Sequence, residues 1–291
     1  MSRSESPASR GALSRQAEGA VSKVPRPGIE VRALVAHDEL VACVDLQRET
    51  WGAEFLDIVP ASILKVTQEV GGVAAGAFDG DRLIGMVYGL TGIRDGRPVH
   101  WSHMLAVHEA YRDHGIGRRL KEFQRDWLLE RGISVLHWTF DPLVARNAHL
   151  NLSRLGVRVD DYVPDLYGET GSPLHLLGTD RLIVTWETGS DAGPPGPESA
   201  VGEDAWRAAP VVNTGRTGLP LKQGCRPPSG AVRIEIPADI DAVASASLAR
   251  ARAWRAATRD AFLWYHRRGY RVAGFARDGE GGRSFYLLEK G

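Results

Sequence analysis

The chain has 291 residues, with Lys+Arg and Asp+Glu balanced at 36 each. No bulk field therefore draws in nucleic acid or an anionic membrane, and any anion site has to be built locally. The length suits one large domain or two modest ones. The two cysteines, Cys43 and Cys225, lack metal-ligand spacing and read as unpaired thiols, so no metal site is expected. With no apolar run long enough to span a membrane and no apolar signal core, the expected location is the cytoplasm.

Residues 1–27, rich in Ser, Arg, Ala, Gly and Pro without periodicity, read as a disordered tail. Order is expected from Gly28, with Ile29-Glu30-Val31-Arg32 alternating like a strand. A helix follows with Leu40, Cys43, Val44 and Trp51 on one side, and Pro60 suits the first turn of a second helix ending near Glu69. Val73–Phe78 and Leu83–Leu90, separated by Asp79-Gly80-Asp81-Arg82, form a hairpin signal. His100–Val107 is a further strand, followed by an amphipathic helix with Ile116, Leu120, Phe123 and Trp127 on one face, ended by Gly132. Ile133–Phe140 reads as a strand, Ala145–Leu155 as a helix closed by Gly156, and Arg181–Glu187 as a late strand. Helices crossing between strands imply an α/β fold with a mixed sheet, ending near residue 188. Residues 189–230 shift to Gly, Pro, Ser and Asn, as in a linker or surface excursion. Residues 231–291 then give an alternating strand (Val232, Ile234, Ile236), an Ala-rich helix over 240–268, and two short strands.

The sharpest feature is Leu105-Ala106-Val107 running through Arg112-Asp113-His114-Gly115-Ile116-Gly117-Arg118 into the amphipathic helix. The first N–H groups of a helix have no carbonyl to bond and converge on one spot. Glycines let that backbone turn and approach a phosphate without a Cβ in the way. Arg112 and Arg118, with Arg119 beyond, add positive charge. The string Arg-x-x-Gly-x-Gly is weak alone, but its context resembles the GNAT acetyltransferases, whose signature follows a strand ending in a Leu-x-Val-like triplet. The resemblance implies a GNAT fold over residues 28–188, with acetyl-CoA or another acyl-CoA as cofactor. It places the pyrophosphate on Arg112 to Gly117, with Arg118 beside it, and the pantetheine arm along Leu105, Ala106 and Val107.

The stretch Trp138–Gly156 occupies the family's second motif and resembles a group of bacterial proteins of that family. Its usual form is Asn-x-x-Ala-x-x-Leu-Tyr-x-x-x-Gly. Ala148 and Gly156 fit, Leu152 stands where the Tyr belongs, and Asn147 comes two places late. That Tyr often protonates the departing thiolate in the family. A thiol of pKa ~8.5 leaves tolerably without an acid. Asn147 is a candidate for hydrogen bonding the cofactor or, equally, for capping a helix. Ala261, Tyr265 and Gly269 fit the same spacing better, which implies a GNAT-like strand-helix-strand-strand half-repeat over residues 231–291 and makes Tyr265 a second catalytic candidate; the plain alternative is a helix ending in Arg-Gly.

Trp51, Trp101 and Trp138 fall where that fold would place an acceptor pocket, although core packing is the commoner use of Trp. His103 lies two places before Leu105. Strand alternation would put His103, Leu105 and Val107 on one face. In a member of the family a His at this place serves in deprotonation of the amine. An imidazole of pKa ~6.5 is neutral often enough for that; the alternative is a histidine hydrogen-bonded within the sheet. The expected function is transfer of an acyl group from acyl-CoA to the amine of a small molecule. The alternative is a non-catalytic acyl-CoA binding or sensing module.

Overall fold

The protein is described by a computed structural model over residues 28–168, 175–188, 203–221, 224, 226–227, 229–278 and 282–291. The expected tail at 1–27, the Gly/Pro-rich run at 189–202 and Cys225 lie outside the described residues.

The chain order is β1 (Ile29–Ala33), α1 (His37–Trp51), α2 (Ala61–Glu69), β2 (Val73–Asp79), β3 (Arg82–Arg94), β4 (Arg97–Val107), α3 (Ile116–Leu129), β5 (Val135–Phe140), α4 (Ala145–Ala148), β6 (Arg158–Val163) and β7 (Arg181–Glu187). These seven strands form one sheet in the order β1-β2-β3-β4-β5-β7-β6. Every neighbouring pair is antiparallel except β4 and β5. β2 is apolar on both sides because both faces of the sheet are covered. Leu40, Cys43, Val44 and Leu64 of α1 and α2 pack against Ala74, Phe78, Met86 and Met104 on one face. Ile116, Leu120 and Leu128 of α3 join Val73, Ala75, Ile84 and Val87 on the other. Cys43 sits in the first of these cores, where burial pushes its thiol up to about 12, so it is inert.

The expected hairpin is present, but β3 runs on to Arg94 and turns through Asp95 and Gly96, both at positive φ, directly into β4. Two consecutive positive φ values match the twist of a tight hairpin. Pro60 is the N-cap of α2 rather than part of its first turn. The helix over Ala145–Leu155 loosens after one turn into a π-helix at His149–Arg154.

The C-terminal unit comprises α5 (Glu203–Ala208), β8 (Ala231–Pro237), α6 (Ile240–Ala246), α7 (Leu248–His266), β9 (Tyr270–Asp278) and β10 (Arg283–Lys290). Its sheet order is β8-β10-β9, both pairs antiparallel, which repeats the order β5-β7-β6. The single long helix read over 240–268 is two, because Ser247 is extended and its side chain accepts from the Arg250 N–H to start α7. Part of the stretch read as a linker is built in. Val212 is fully buried, and Asn213 exchanges two 2.8 Å hydrogen bonds with the backbone of Glu235 on β8. The two units share one core, in which Phe262 stacks on Tyr162 at 4.9 Å and Tyr286 donates to the Pro142 carbonyl at 2.8 Å. No described helix is long and apolar enough to cross a membrane.

Candidate active site

β4 and β5 pair only at His100↔Leu136 and Trp101↔His137. Beyond those two pairs the strands part, and a cavity of about 500 Å³ opens in the fork. One wall is Ser102, His103 and Leu105 of β4; the other is Trp138, Phe140 and Asp141. Lys121 of α3 and Asn147 and Asn151 of the α4 segment close one side, while Trp51, Asp57, Tyr167, His175 and Arg181 border the other.

At the far end of β4 the chain makes a short turn over Glu109–Tyr111 and reaches the loop before α3. Asp113 and Gly115 both have positive φ (64° and 75°). The first intrahelical bond of α3 runs from Arg119 N–H to Gly115 O. The N–H groups of Ile116, Gly117 and Arg118 consequently have no preceding carbonyl to meet. A Cβ on Gly115 would meet nothing within 4 Å, so its φ rather than crowding demands glycine. A Cβ on Gly117 would stand 3.7–4.0 Å from Leu150, Leu105 and Val107, an ordinary contact. The protein's own packing therefore does not require that glycine. The unpaired N–H groups at the start of α3 suit an anion such as a diphosphate.

The cations of the loop are not equivalent. Arg112 donates from Nε to the Val107 carbonyl at 3.2 Å, which holds it over the loop, and His114 donates from Nδ1 to the Arg112 carbonyl at 2.7 Å. Arg118 pairs with Glu122 and Arg119 is spent on the carbonyl of Ile29.

His103 lines the cavity, but not by simple alternation. β4 has one residue more than β3 at this point, since Met104 pairs with Tyr88 and Ser102 with Gly89. His103 is the extra residue of that bulge, and a bulge re-aims its side chain. Desolvation by the cavity walls holds its imidazole below 6.5, while the nearby Asp57 carboxylate pulls the other way.

The three tryptophans separate. Trp51 and Trp138 line the cavity, but Trp101 does not; it stands beside His137 across the strand pair, with ring centroids 6.4 Å apart. Strand alternation from the buried His100 and Ser102 puts it on the other face. Tyr265 is also corrected. It is fully buried between Trp264 and Tyr270 in the C-terminal core, closed off from the fork, so it has no access to a ligand there. Leu152 packs against the main core, and neither α4 nor the π-helix after it sends a hydroxyl into the cavity; the phenol there belongs to Tyr167, 3.0 Å from Thr139 Oγ1.

Sequence reasoning missed a buried polar chain behind the cavity. Thr91 Oγ1 donates to Gly71 O, so it accepts from His100 Nδ1–H at 3.1 Å; His100 Nε2 then accepts from Gln124 Nε2 at 3.0 Å. Gln124 Oε1 receives Lys121 Nζ at 3.4 Å, and Lys121 reaches Ser102 Oγ at 2.6 Å. Gly89 makes the room, since a Cβ there would lie 2.2 Å from His100 Nε2. Burial pushes His100 down to about 3 and holds Lys121 well below its ordinary value. The signal was present in the sequence: Gly117, Lys121, Gln124 and Leu128 share one helix face, with two polar residues inside a buried stripe.

A larger cleft of about 1010 Å³ lies between β6 and the C-terminal unit. Its charges are mostly matched, Arg158 with Asp160 at 2.7 Å and His266 with Asp161 at 3.2 Å, and no helix N-terminus opens onto it.

Residues 40–156 match the family described as acetyltransferase (GNAT) family. Among solved structures, the chain is similar to the ribosomal-protein-S18-alanine N-acetyltransferase from Escherichia coli, at 16% identity over 56% of this chain and 96% of that one (TM-score 0.44). It is also similar to yncA from Salmonella typhimurium with its cofactor acetyl-CoA, at 17% identity over 57% and 98% (TM-score 0.46). An aminoglycoside 6'-acetyltransferase type Ii gives 18% identity over 56% and 99% (TM-score 0.44). No curated protein matches the chain.

Proposed function

The chain carries a GNAT-family acetyltransferase domain over residues 40–156, and from that premise we propose that it transfers the acyl group of an acyl-CoA to the amine of a small molecule held in the fork. The observation that carries this reading is the alignment of two features on one strand. β4 leads from the amide cradle beyond Val107 to the cavity at His103 and Ser102. That is about 17 Å at a strand's rise per residue, the reach of an extended pantetheine arm.

When bound, acyl-CoA supplies a thioester carbonyl, whose C–S bond breaks as the acceptor nitrogen forms the new C–N bond. The backbone at Ile116, Gly117 and Arg118, with Arg112, holds the diphosphate. Leu105 and Val107 guide the arm, and Asn147 offers it an amide partner at the cavity wall. His103 takes the proton that the acceptor nitrogen gives up, and Asp57 steadies the resulting imidazolium. Trp51 and Trp138 supply apolar walls for the acceptor, and Asp57 favours a cationic amine at the mouth.

A thiol-release assay of the purified chain with acetyl-CoA and a panel of small amines tests the proposal, which expects acceptor-dependent thiol release. One observation favours a second reading, a non-catalytic acyl-CoA binding module: the π-helix after α4 carries Leu152 rather than a hydroxyl group facing the fork. Tight CoA binding with no thiol release for any amine or peptide would establish that reading instead.

A further inference from the structure

Lys121 is a buried amine without a carboxylate. It is 2% exposed, and among the described residues no carboxylate lies within ion-pair distance of its Nζ. Its contacts are Ser102 Oγ at 2.6 Å, Gln124 Oε1 at 3.4 Å, and the face of Trp138, 3.7 Å from Nζ to the ring centroid. Yet it borders the fork cavity together with Ser102 and Trp138. A buried cation without a counter-charge is costly, and proteins seldom bury a lysine unpaired.

Its place in the fork says what could supply that charge. A ligand entering from the amide cradle runs along β4 toward the point where β4 and β5 close, at His100↔Leu136 and Trp101↔His137. The acyl group is the leading end of such a ligand. Ser102 is the first residue beyond the closing pairs, and Lys121 stands against it. A longer acyl chain reaches further toward this polar floor than an acetyl group does. An apolar tail would strip Lys121 and Ser102 of hydrogen-bonding options, which disfavours it. A tail ending in a carboxylate would find an ammonium, a hydroxyl group and an aromatic face that supports the cation.

Resting on the reading of the fork as the acyl-CoA site, we propose that Lys121 and Ser102 select an acyl-CoA whose acyl group ends in a carboxylate, of the succinyl type. Burial disfavours the charged form of Lys121 in the empty cavity and holds its amine well below the ordinary value. The arriving carboxylate brings a negative charge and raises that value again, so binding takes up a proton at neutral pH. The other charged or titratable groups facing the fork are His103 on β4, Asp141 after β5, Tyr167, Arg181 on β7, and Asp57 and His175 at the mouth, with His100 behind Lys121 through Gln124. His100, held to about 3, stays neutral at neutral pH, and Arg181 and Asp141 lie 3.9 Å apart as a matched pair.

Calorimetry of the full chain with CoA, acetyl-CoA, butyryl-CoA and succinyl-CoA, in two buffers of different ionisation heat, tests this. Succinyl-CoA is expected to bind at least about tenfold tighter than butyryl-CoA, the scale of one charge-assisted hydrogen bond, and to take up close to one proton. In Lys121→Met both the preference and the proton uptake disappear, while CoA and acetyl-CoA bind as before. Ser102→Ala, which keeps the amine, reduces the preference and retains the uptake. Equal affinity for butyryl-CoA and succinyl-CoA in the native chain, or a succinyl preference that survives Lys121→Met, overturns the proposal. Failure of CoA itself to bind overturns the cofactor site, and the tail assignment with it.

Discussion

Arg255 of α7 donates to the carboxylate of Asp141, at the rim of the fork cavity and 114 residues earlier in the chain, at 2.5 Å. Its Nε binds the Leu177 carbonyl, and Arg259, one helical turn on, binds Asp180 and Asp165. The C-terminal unit therefore braces the wall of the cavity instead of hanging from it. Removing one partner of a buried ion pair strands the other, which typically costs about 3–5 kcal/mol. Arg255→Ala should lose stability on that scale in urea unfolding, and native chain should unfold in one transition. A separately expressed 231–291 should give no cooperative transition, because Phe262 and Tyr286 lose Tyr162 and Pro142. An independent, sharp transition in that fragment contradicts the shared core.

The amide cradle is tested by Gly115→Glu. The positive φ of 75° strains any side chain, by about 1–2 kcal/mol in the left-handed region, so the variant should still fold cooperatively. The carboxylate, however, would face a bound diphosphate and block the approach to the N–H groups. Affinity for CoA should drop by orders of magnitude, since each charge-assisted bond is worth about 1.5–3 kcal/mol. Unchanged binding by calorimetry would move the cofactor elsewhere.

For His103, the structure fixes where a pH effect should fall. Desolvation lowers the imidazole's value below 6.5 and Asp57 offsets part of it. Only the neutral ring accepts a proton, so the rate should rise with pH through an acidic limb below 6.5 and then level off. His103→Ala should lower kcat by about 10²–10⁴-fold with CoA affinity unchanged. Asp57→Asn removes the raising influence and should shift the limb further toward acid. A limb that stays in place in both variants assigns the proton to another group.

The elements with one strong period were legible in the sequence: α1, the β2–β3 hairpin, α3 and β5 all follow apolar spacing. The cradle was legible because its residues are adjacent in the chain. β6 was not, because Asp160 and Asp161 interrupt its alternation and the register slips between Val159 and Asp161. The break at Ser247 hid inside a run of alanines that suits a helix throughout. The bulge at His103 and the face of Trp101 depend on how β3 pairs with β4, which no local pattern records. Lys121 sits on a helix rich in charged residues, and only the sheet beneath it makes it a buried amine.

That buried amine and His100 also set how stability varies with pH. In the unfolded chain an imidazole titrates near 6.5 and a lysine near 10.4. In the native fold burial holds His100 at about 3 and Lys121 well below its ordinary value. Between the folded and unfolded values of each group, the unfolded chain binds a proton that the native chain refuses. Stability therefore falls as pH drops from 6.5 toward 3 through His100, and rises as pH climbs toward 10 through Lys121. Glu39, held at about 2 by its hydrogen bond with Arg32, adds to the acid loss, so the native curve alone does not isolate His100. Lys121→Met isolates its own share. A neutral side chain of similar length has no proton to give up, so at pH 7 the variant should be more stable than the native chain. The excess should shrink as pH rises from 7 to 10, because the native lysine then loses its proton in both states. Urea unfolding of both proteins at pH 5, 7 and 9 measures the difference directly. A variant less stable than the native chain at pH 7, or an excess that does not shrink by pH 9, would mean that Lys121 keeps its charge in the empty fold, held by Ser102, Gln124 and the face of Trp138.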